Sequence, residues 1–288
     1  MDWALFAQQV FYGLSNGMAY ALFAIGLVVI FGILGIINVA HGEFYMMGAM
    51  IFSWLVAIQG VNLVVAAVIA LAVGVIIGIL SNRLVVQPIY GKPSFVLATF
   101  LATLGLSIFL ANLATVVWGA FPINVTTPFS LVVRPGGIAI AGDRIVLFVI
   151  GGAVLWLLMQ WMSKSLLGKQ LQAAAQDAVS ARLVGINLMR VYAIGFGLAS
   201  VLAVVSGILM APIWTSNPYM GPLVILKGFI VTIVAGMGNF RGAIIVGLLL
   251  GLVEAIFGQY VAVQYREAVG YGVMILVLLF KPEGLFRR

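Results

Sequence analysis

The 288-residue chain is 64% hydrophobic and 7% charged, with a mean hydropathy of +1.25. Such a composition excludes an ordinary soluble domain; at about 20 apolar residues per crossing the length holds about eight to ten helical spans and no soluble catalytic domain besides. Cysteine is absent, which removes disulfides and thiolate chemistry, and the formal charge of +7 is scattered between apolar runs instead of forming a nucleic-acid-binding patch.

Residues 1–9 are too short and too lightly charged for a conventional cleaved signal peptide. An apolar run at 10–37 follows, longer than one straight span requires, with Gly32 and Gly35 as places for it to bend or end. Residues 38–43 form a short polar turn before a second span at 44–58. The third span, 63–80, carries Gly74 and Gly78 in a GxxxG arrangement suited to close helix contact. Arg83, Pro88, Gly91, Lys92 and Pro93 mark a basic, helix-breaking loop, and the fourth span, 95–118, sets Thr99, Thr103 and Ser107 in one row. The stretch 119–144 is an external loop. Its segments 130–133 and 138–141 flank Arg134-Pro135-Gly136-Gly137 and predict a small β-hairpin lying over the membrane.

A fifth span at 145–162 leads into the inner loop 163–190. On a helical wheel Leu167, Leu171, Ala174, Ala178, Ala181 and Gly185 share one narrow stripe, and Lys169, Gln172, Gln176, Ser180 and Asn187 fall opposite. That pattern predicts a two-faced helix, which either merely connects two spans or offers its small apolar side for another surface to dock closely. A sixth span at 191–211 stops at Pro212, and 215–222 is rich in turn residues. The apolar segment 223–235 is too short for a normal crossing and ends at Gly236-Met237-Gly238. It reads as a broken or partly re-entrant helix shielded by the bundle, since irregular backbone cannot face lipid. Spans at 243–260 and 268–280 lead to a basic tail of Lys281, Arg287 and Arg288. The whole predicts one all-α polytopic membrane domain over residues 1–288, with about eight or nine transmembrane helices and one broken segment.

Charge orients it. With 163–190 inside, alternation puts Arg83, Lys92, Lys164, Lys169, Arg182, Arg190, Arg241, Lys281, Arg287 and Arg288 on that side, ten of the 14 basic residues. The N-terminus is then outside with nine crossings, or inside if the long first run hides a hairpin.

Few residues carry candidate chemistry. Asn38, His41 and Glu43 share the polar turn, but one His and one carboxylate do not make a metal site, and no Cys or second His exists to complete it. A capping and hydrogen-bonding turn is the plainer role. The Thr99/Thr103/Ser107 row either lines a polar path or bonds a neighbouring helix. Gly236-Met237-Gly238 lacks the strand and lysine of a phosphate loop, and no arrangement suited to hydrolysis or to a bound cofactor stands out. Lys227 lies about 6 Å and Glu254 about 9 Å below the outer boundary on consecutive antiparallel helices, so the two either form an ion pair inside the membrane or each snorkel or bond to backbone alone.

The strings GLVVIFGILGIINVAHGEFYMMGAM (26–50), AAAQDAVSARLVGIN (173–187) and ILKGFIVTIVAGMGNFRGAIIVGLLLGLVEAI (225–256) resemble the branched-chain amino acid ABC-importer permease family, in its shorter, LivH-like form, over nearly the whole chain. The resemblance implies that the inner loop is a coupling helix seated on an ATPase, with Gln172, Ala174, Asp177, Ala178, Arg182 and Gly185 as its residues. The acidic residue usual in that signature is absent; Gln172 and Asp177 are the nearest polar side chains. It further implies a homologous second permease, two ATPase subunits that hydrolyse ATP, and a periplasmic binding protein, in the bacterial inner membrane. The external segments 119–144 and 215–222 would meet the binding protein, with Arg134 and Arg144 as contacts. The expected cargo is Leu, Ile, Val or a similar hydrophobic amino acid; urea or a short amide is the alternative. An ion-coupled secondary transporter is a further one, weakened because Glu254 is the one carboxylate read inside a span.

Overall fold

The computed structural model describes residues 3–286, so Arg287 and Arg288 of the basic tail lie outside the described residues. Its axis is α1 (Trp3–Leu34), a single unbroken helix, so the long first run hides no hairpin. With the inner loop placed inside, α1 runs from outside to inside and the N-terminus is external. The helix stops at Gly35, whose φ of +63° a glycine adopts freely.

The chain then turns back into the bundle without helix, and α2 (His41–Ser53) starts in the interior. The His41 Nε2 lies 3.2 Å from the Phe23 carbonyl oxygen of α1, eleven residues above the helix end, which is about 16 Å at 1.5 Å per residue. Residues 38–43 are therefore not a surface turn, and α2 covers only the outer half of the membrane. It continues through a π-helical turn, Trp54–Ile58, to the surface.

Next come α3 (Leu63–Ser81), prolonged by π- and 3₁₀-turns to Ile89, and α4 (Phe95–Trp118). The external loop holds the predicted hairpin, β1 (Val132–Val133) paired antiparallel with β2 (Ile140–Ala141) around a tight Pro135–Gly137 turn. α5 (Gly142–Lys164) descends to the inner loop, which is two helices rather than one: α6 (Leu166–Gln176) and α7 (Ala178–Leu183). α8 (Leu188–Met210) returns outward, and α9 (Gly221–Ala235), α10 (Phe240–Tyr260) and α11 (Arg266–Phe280) complete the bundle.

Among the described residues seven helices are long and apolar enough to cross a membrane; α9 is a shorter apolar helix. Its 15 residues span about 22 Å against a hydrocarbon core of about 30 Å, so it is the broken segment expected from its length. The break before α2 is a second one, which hydropathy does not reveal.

Small residues set the spacing of the core. Gly13 and Gly17 on α1 face Gly247 and Gly251 on α10, so the backbones touch. A Cβ at Gly17 would sit 2.7 Å from the Gly247 carbonyl, and one at Gly247 would sit 2.8 Å from the Ala21 amide nitrogen. The predicted Gly74/Gly78 pair makes the same kind of seam with Val204 and Ser200 of α8.

Candidate functional site

Three polar groupings interrupt the apolar bundle. The first lies where two half-helices meet head to head. The N-termini of α2 and α9 abut so closely that a Cβ on Gly42 would strike the Gly221 carbonyl. Glu43 occupies the first turn of α2, and its carboxylate lies against Gly221, the first residue of α9. A carboxylate between two helix N-termini receives the positive end of both dipoles. Glu43 Oε1 accepts a 2.9 Å hydrogen bond from the Ser107 hydroxyl of α4.

The rest of the α4 row points the same way. Thr103 Oγ1 accepts from the Val39 amide at 3.3 Å and also reaches the Ile37 carbonyl, which holds the non-helical link in place. Thr99 bonds the Phe95 carbonyl of its own helix at 2.8 Å. Thr103 and Ser107 thus tie α4 to the break, while Thr99 does not reach it. Asn38, His41 and Glu43 are all buried, and both amide atoms of Asn38, His41 Nδ1 and Glu43 Oε2 have no hydrogen-bond partner among the described residues. The expected capping role is not what these residues do: the residue before α2 is Ala40, which makes no side-chain cap. Glu43 is a second carboxylate inside the membrane, which corrects the reading that Glu254 stands there alone. Among the described residues no three His, Cys, Asp or Glu side chains converge as metal ligands.

The second grouping is the Lys227–Glu254 pair, formed although α9 starts in the interior and not at the outer boundary from which its depth is counted. Lys227 of α9 and Glu254 of α10 form a buried ion pair. Tyr20 of α1 donates from its hydroxyl to the other carboxylate oxygen at 3.0 Å, so both oxygens of Glu254 are engaged. The Lys227 ammonium also lies 5.8 Å from the centre of the Tyr271 ring, within cation–π range. Sequence reasoning misses Tyr20, because a tyrosine in an apolar run shows nothing of where its hydroxyl goes.

The third comprises the two surfaces. Outside, Ile123 and Ser216 pair through both backbone groups at 2.8 and 3.0 Å, and Thr215 donates to Asn124 at 2.7 Å. The two external segments are thereby one layer. Asp143 accepts from Thr127 and from Ser130, folding the loop onto the start of α5. Arg134 is exposed beside the hairpin turn. Arg144 instead turns into the bundle, donating to Asn16 at 2.9 Å with its guanidinium 4.2 Å from the Tyr12 ring.

Inside, the predicted continuous stripe is interrupted. Asp177 ends α6 and caps α7, accepting from the Val179 and Ser180 amides at 2.9 and 3.2 Å and from the Ser180 hydroxyl. The hydroxyl and amide bonds from Ser180, with that from Val179, hold the exposed Asp177 carboxyl below its ordinary range. Gly185 leaves the helix altogether in a turn with φ +86°, off the stripe. Leu171, Ala174 and Ala181 are buried against the chain's own bundle, while Ala178 is half-buried. Gln172 donates to the Met162 carbonyl at 2.7 Å, and Arg182 is exposed. The free face is the opposite one, with Val179, Leu183 and Val184 at 71%, 83% and 77% exposure. The small side chains are the inner packing of the loop, and the branched ones are its outward surface. Beside α6 lies a cavity of about 620 Å³, lined by Gln172, Gln176, Met237 and Arg241 among others.

Residues 9–278 match the protein family described as the permease component of the branched-chain amino acid transport system. LivH of Escherichia coli (strain K12), named a high-affinity branched-chain amino acid transport system permease protein, is 32% identical over 98% of this chain and 96% of its own. BraD of Pseudomonas aeruginosa, named in the same words, is 33% identical over 98% and 96%. The solved structure of PsaBC from Streptococcus pneumoniae in complex with Fab matches 95% of this chain and 90% of its own with a TM-score of 0.50, at 14% identity, a likeness of fold alone.

Proposed function

This chain belongs to the branched-chain amino acid transport system permease family, and from that premise we propose that it is the membrane-spanning subunit of an ATP-driven importer of branched-chain or similar hydrophobic amino acids. The observation that carries the reading is the correspondence to LivH and BraD along nearly the full length of all three chains. Both relatives are named for branched-chain amino acids, which favours that cargo over urea or a short amide. In this reading ATP is hydrolysed on two separate subunits. A second, homologous permease completes the pathway, and a periplasmic binding protein delivers the amino acid to the outer face of a bacterial inner membrane.

The inner loop supplies the ATPase contact through its outward face. Val179, Leu183 and Val184 form an apolar projection that no described residue covers, on the side carrying the basic excess. The double variant Leu183→Asp, Val184→Asp should insert normally, because both residues are exposed. It should lose most of its co-purifying ATPase and at least about tenfold of labelled leucine uptake in proteoliposomes, since charges would face a desolvated contact. Unchanged co-purification and uptake would remove α7 from the coupling surface.

The external layer is the docking surface for the binding protein, and Arg134 is its exposed cation. Arg134→Glu should weaken the apparent affinity for loaded binding protein several-fold at low salt, with the difference shrinking towards physiological salt. An effect equal at both salt concentrations would show that the residue acts through local structure instead.

A further inference from the structure

A cavity of about 320 Å³ lies on the outer side of the Lys227–Glu254 pair, between α1, α9, α10, the start of α11 and the loop before α9. That volume stands at the small end of the roughly 300–1,000 Å³ usual for small-molecule sites. Four of its lining residues are charged, and the signs balance: Lys227 and Arg266 against Glu254 and Glu267. Trp214, Leu223 and Val224 supply an apolar wall beside them. A lining with two cations, two anions and one greasy side suits a ligand that is itself neutral overall but charged at both ends.

We infer that this cavity binds a free zwitterionic amino acid with an apolar side chain, its carboxylate taken by Lys227 and its ammonium group by Glu254. The proposal rests on the importer reading above and adds to it a place and a chemistry of recognition within the permease. In the structure the two residues satisfy each other, since a lone buried charge would be costly. A zwitterion entering the pair gives each partner a new counter-charge. A ligand with one charged end would open the pair and leave one partner unmatched. Glu254 is held in position throughout by the Tyr20 hydroxyl. The Lys227 ammonium keeps a cation–π contact at 5.8 Å with the Tyr271 ring, which supports the flexible side chain beside the cavity. Arg266 and Glu267, at the outer start of α11, repeat the same two signs at the mouth.

The test compares three molecules of one shape on the assembled transporter in lipid nanodiscs, without binding protein. L-leucine carries both charges, L-leucinol keeps only the ammonium group, and 4-methylpentanoate keeps only the carboxylate. At tens of millimolar, L-leucine should raise the melting temperature by about 2 °C, and neither analogue should do so. The Lys227→Met, Glu254→Leu double variant, which removes both charges together, should lose the leucine shift and at least about tenfold of leucine uptake with its binding protein present. Should that variant not assemble, Leu223→Trp, which fills the cavity from a half-exposed position, must give the same two losses. Equal stabilisation by L-leucinol, or wild-type uptake by either variant, overturns the site while leaving the importer reading intact. Failure of the wild-type assembly to take up any branched-chain amino acid overturns the importer reading, and this proposal with it.

Discussion

A permease carrying Lys227→Met alone should be destabilised by about 3–5 kcal/mol, among the largest losses available to a single substitution in this chain. The reason is what remains behind. Glu254 is 1% exposed, and without the lysine its remaining partner among the described residues is the Tyr20 hydroxyl, which offers one hydrogen bond and no charge. At the floor of the cavity beside it the carboxylate would meet too little water to make good the lost counter-charge. Glu254→Leu alone should do comparable harm by stranding the ammonium group. Replacing both at once leaves no orphaned charge, so the double variant should recover most of the lost stability although it contains both changes. Thermal denaturation of the four proteins in one detergent closes the cycle. If the two single losses simply added in the double variant, the ion pair would have no energetic coupling and its stabilising role would be refuted.

Gly251→Leu should be as damaging for a different reason. A Cβ at Gly251 falls within contact distance of the Gly13 carbonyl oxygen and the amide nitrogen of Gly17. These are backbone atoms of the central helix, so they cannot swing aside as a side chain would. Ordinary overpacking costs about 1–3 kcal/mol; here α1 and α10 must separate along their length, and the expected outcome is failure to accumulate as a monodisperse protein. The control is Gly105→Leu on α4, where nothing lies within 4 Å of the position a Cβ would take and near-normal yield is expected. Equal yields for the two variants would show that the α1–α10 seam is not what holds the bundle.

Much of the architecture is legible in the sequence because membrane helices obey simple length rules. The apolar run bounded by Phe95 and Trp118 is a helix that begins and ends at those residues. The brevity of 223–235 announces a broken helix. The Lys227–Glu254 pair forms although the depth count behind it sets Leu223 at the outer boundary; α9 starts beside Gly42 in the interior, and the long lysine side chain spans the difference. The break before α2 is hidden for a physical reason. Residues 35–40, Gly-Ile-Ile-Asn-Val-Ala, are mostly apolar and contain no proline, so hydropathy cannot tell an interior link from the end of a helix. What places the link at Ile37 and Val39, and Glu43 after it, in the interior is their company, Thr103 and Ser107 of α4 and Gly221 of α9, and that is a tertiary fact. The loop stripe fails in another way. A wheel assumes one continuous helix, whereas Asp177 accepts amide bonds at the start of a new one, and the inner and outer faces are reassigned beyond it.

The two half-helices divide the mechanical work of the bundle. α2 reaches from the centre to the external surface and α9 from the centre to the internal one, and no continuous backbone ladder joins either to the opposite side. Each is a stiff lever of about 20 Å whose pivot is the abutment of Gly42 on Gly221. A tilt of the outer lever therefore transmits no torque through hydrogen-bonded backbone to the inner one. A rotation of either half-helix about that contact need not deform the other.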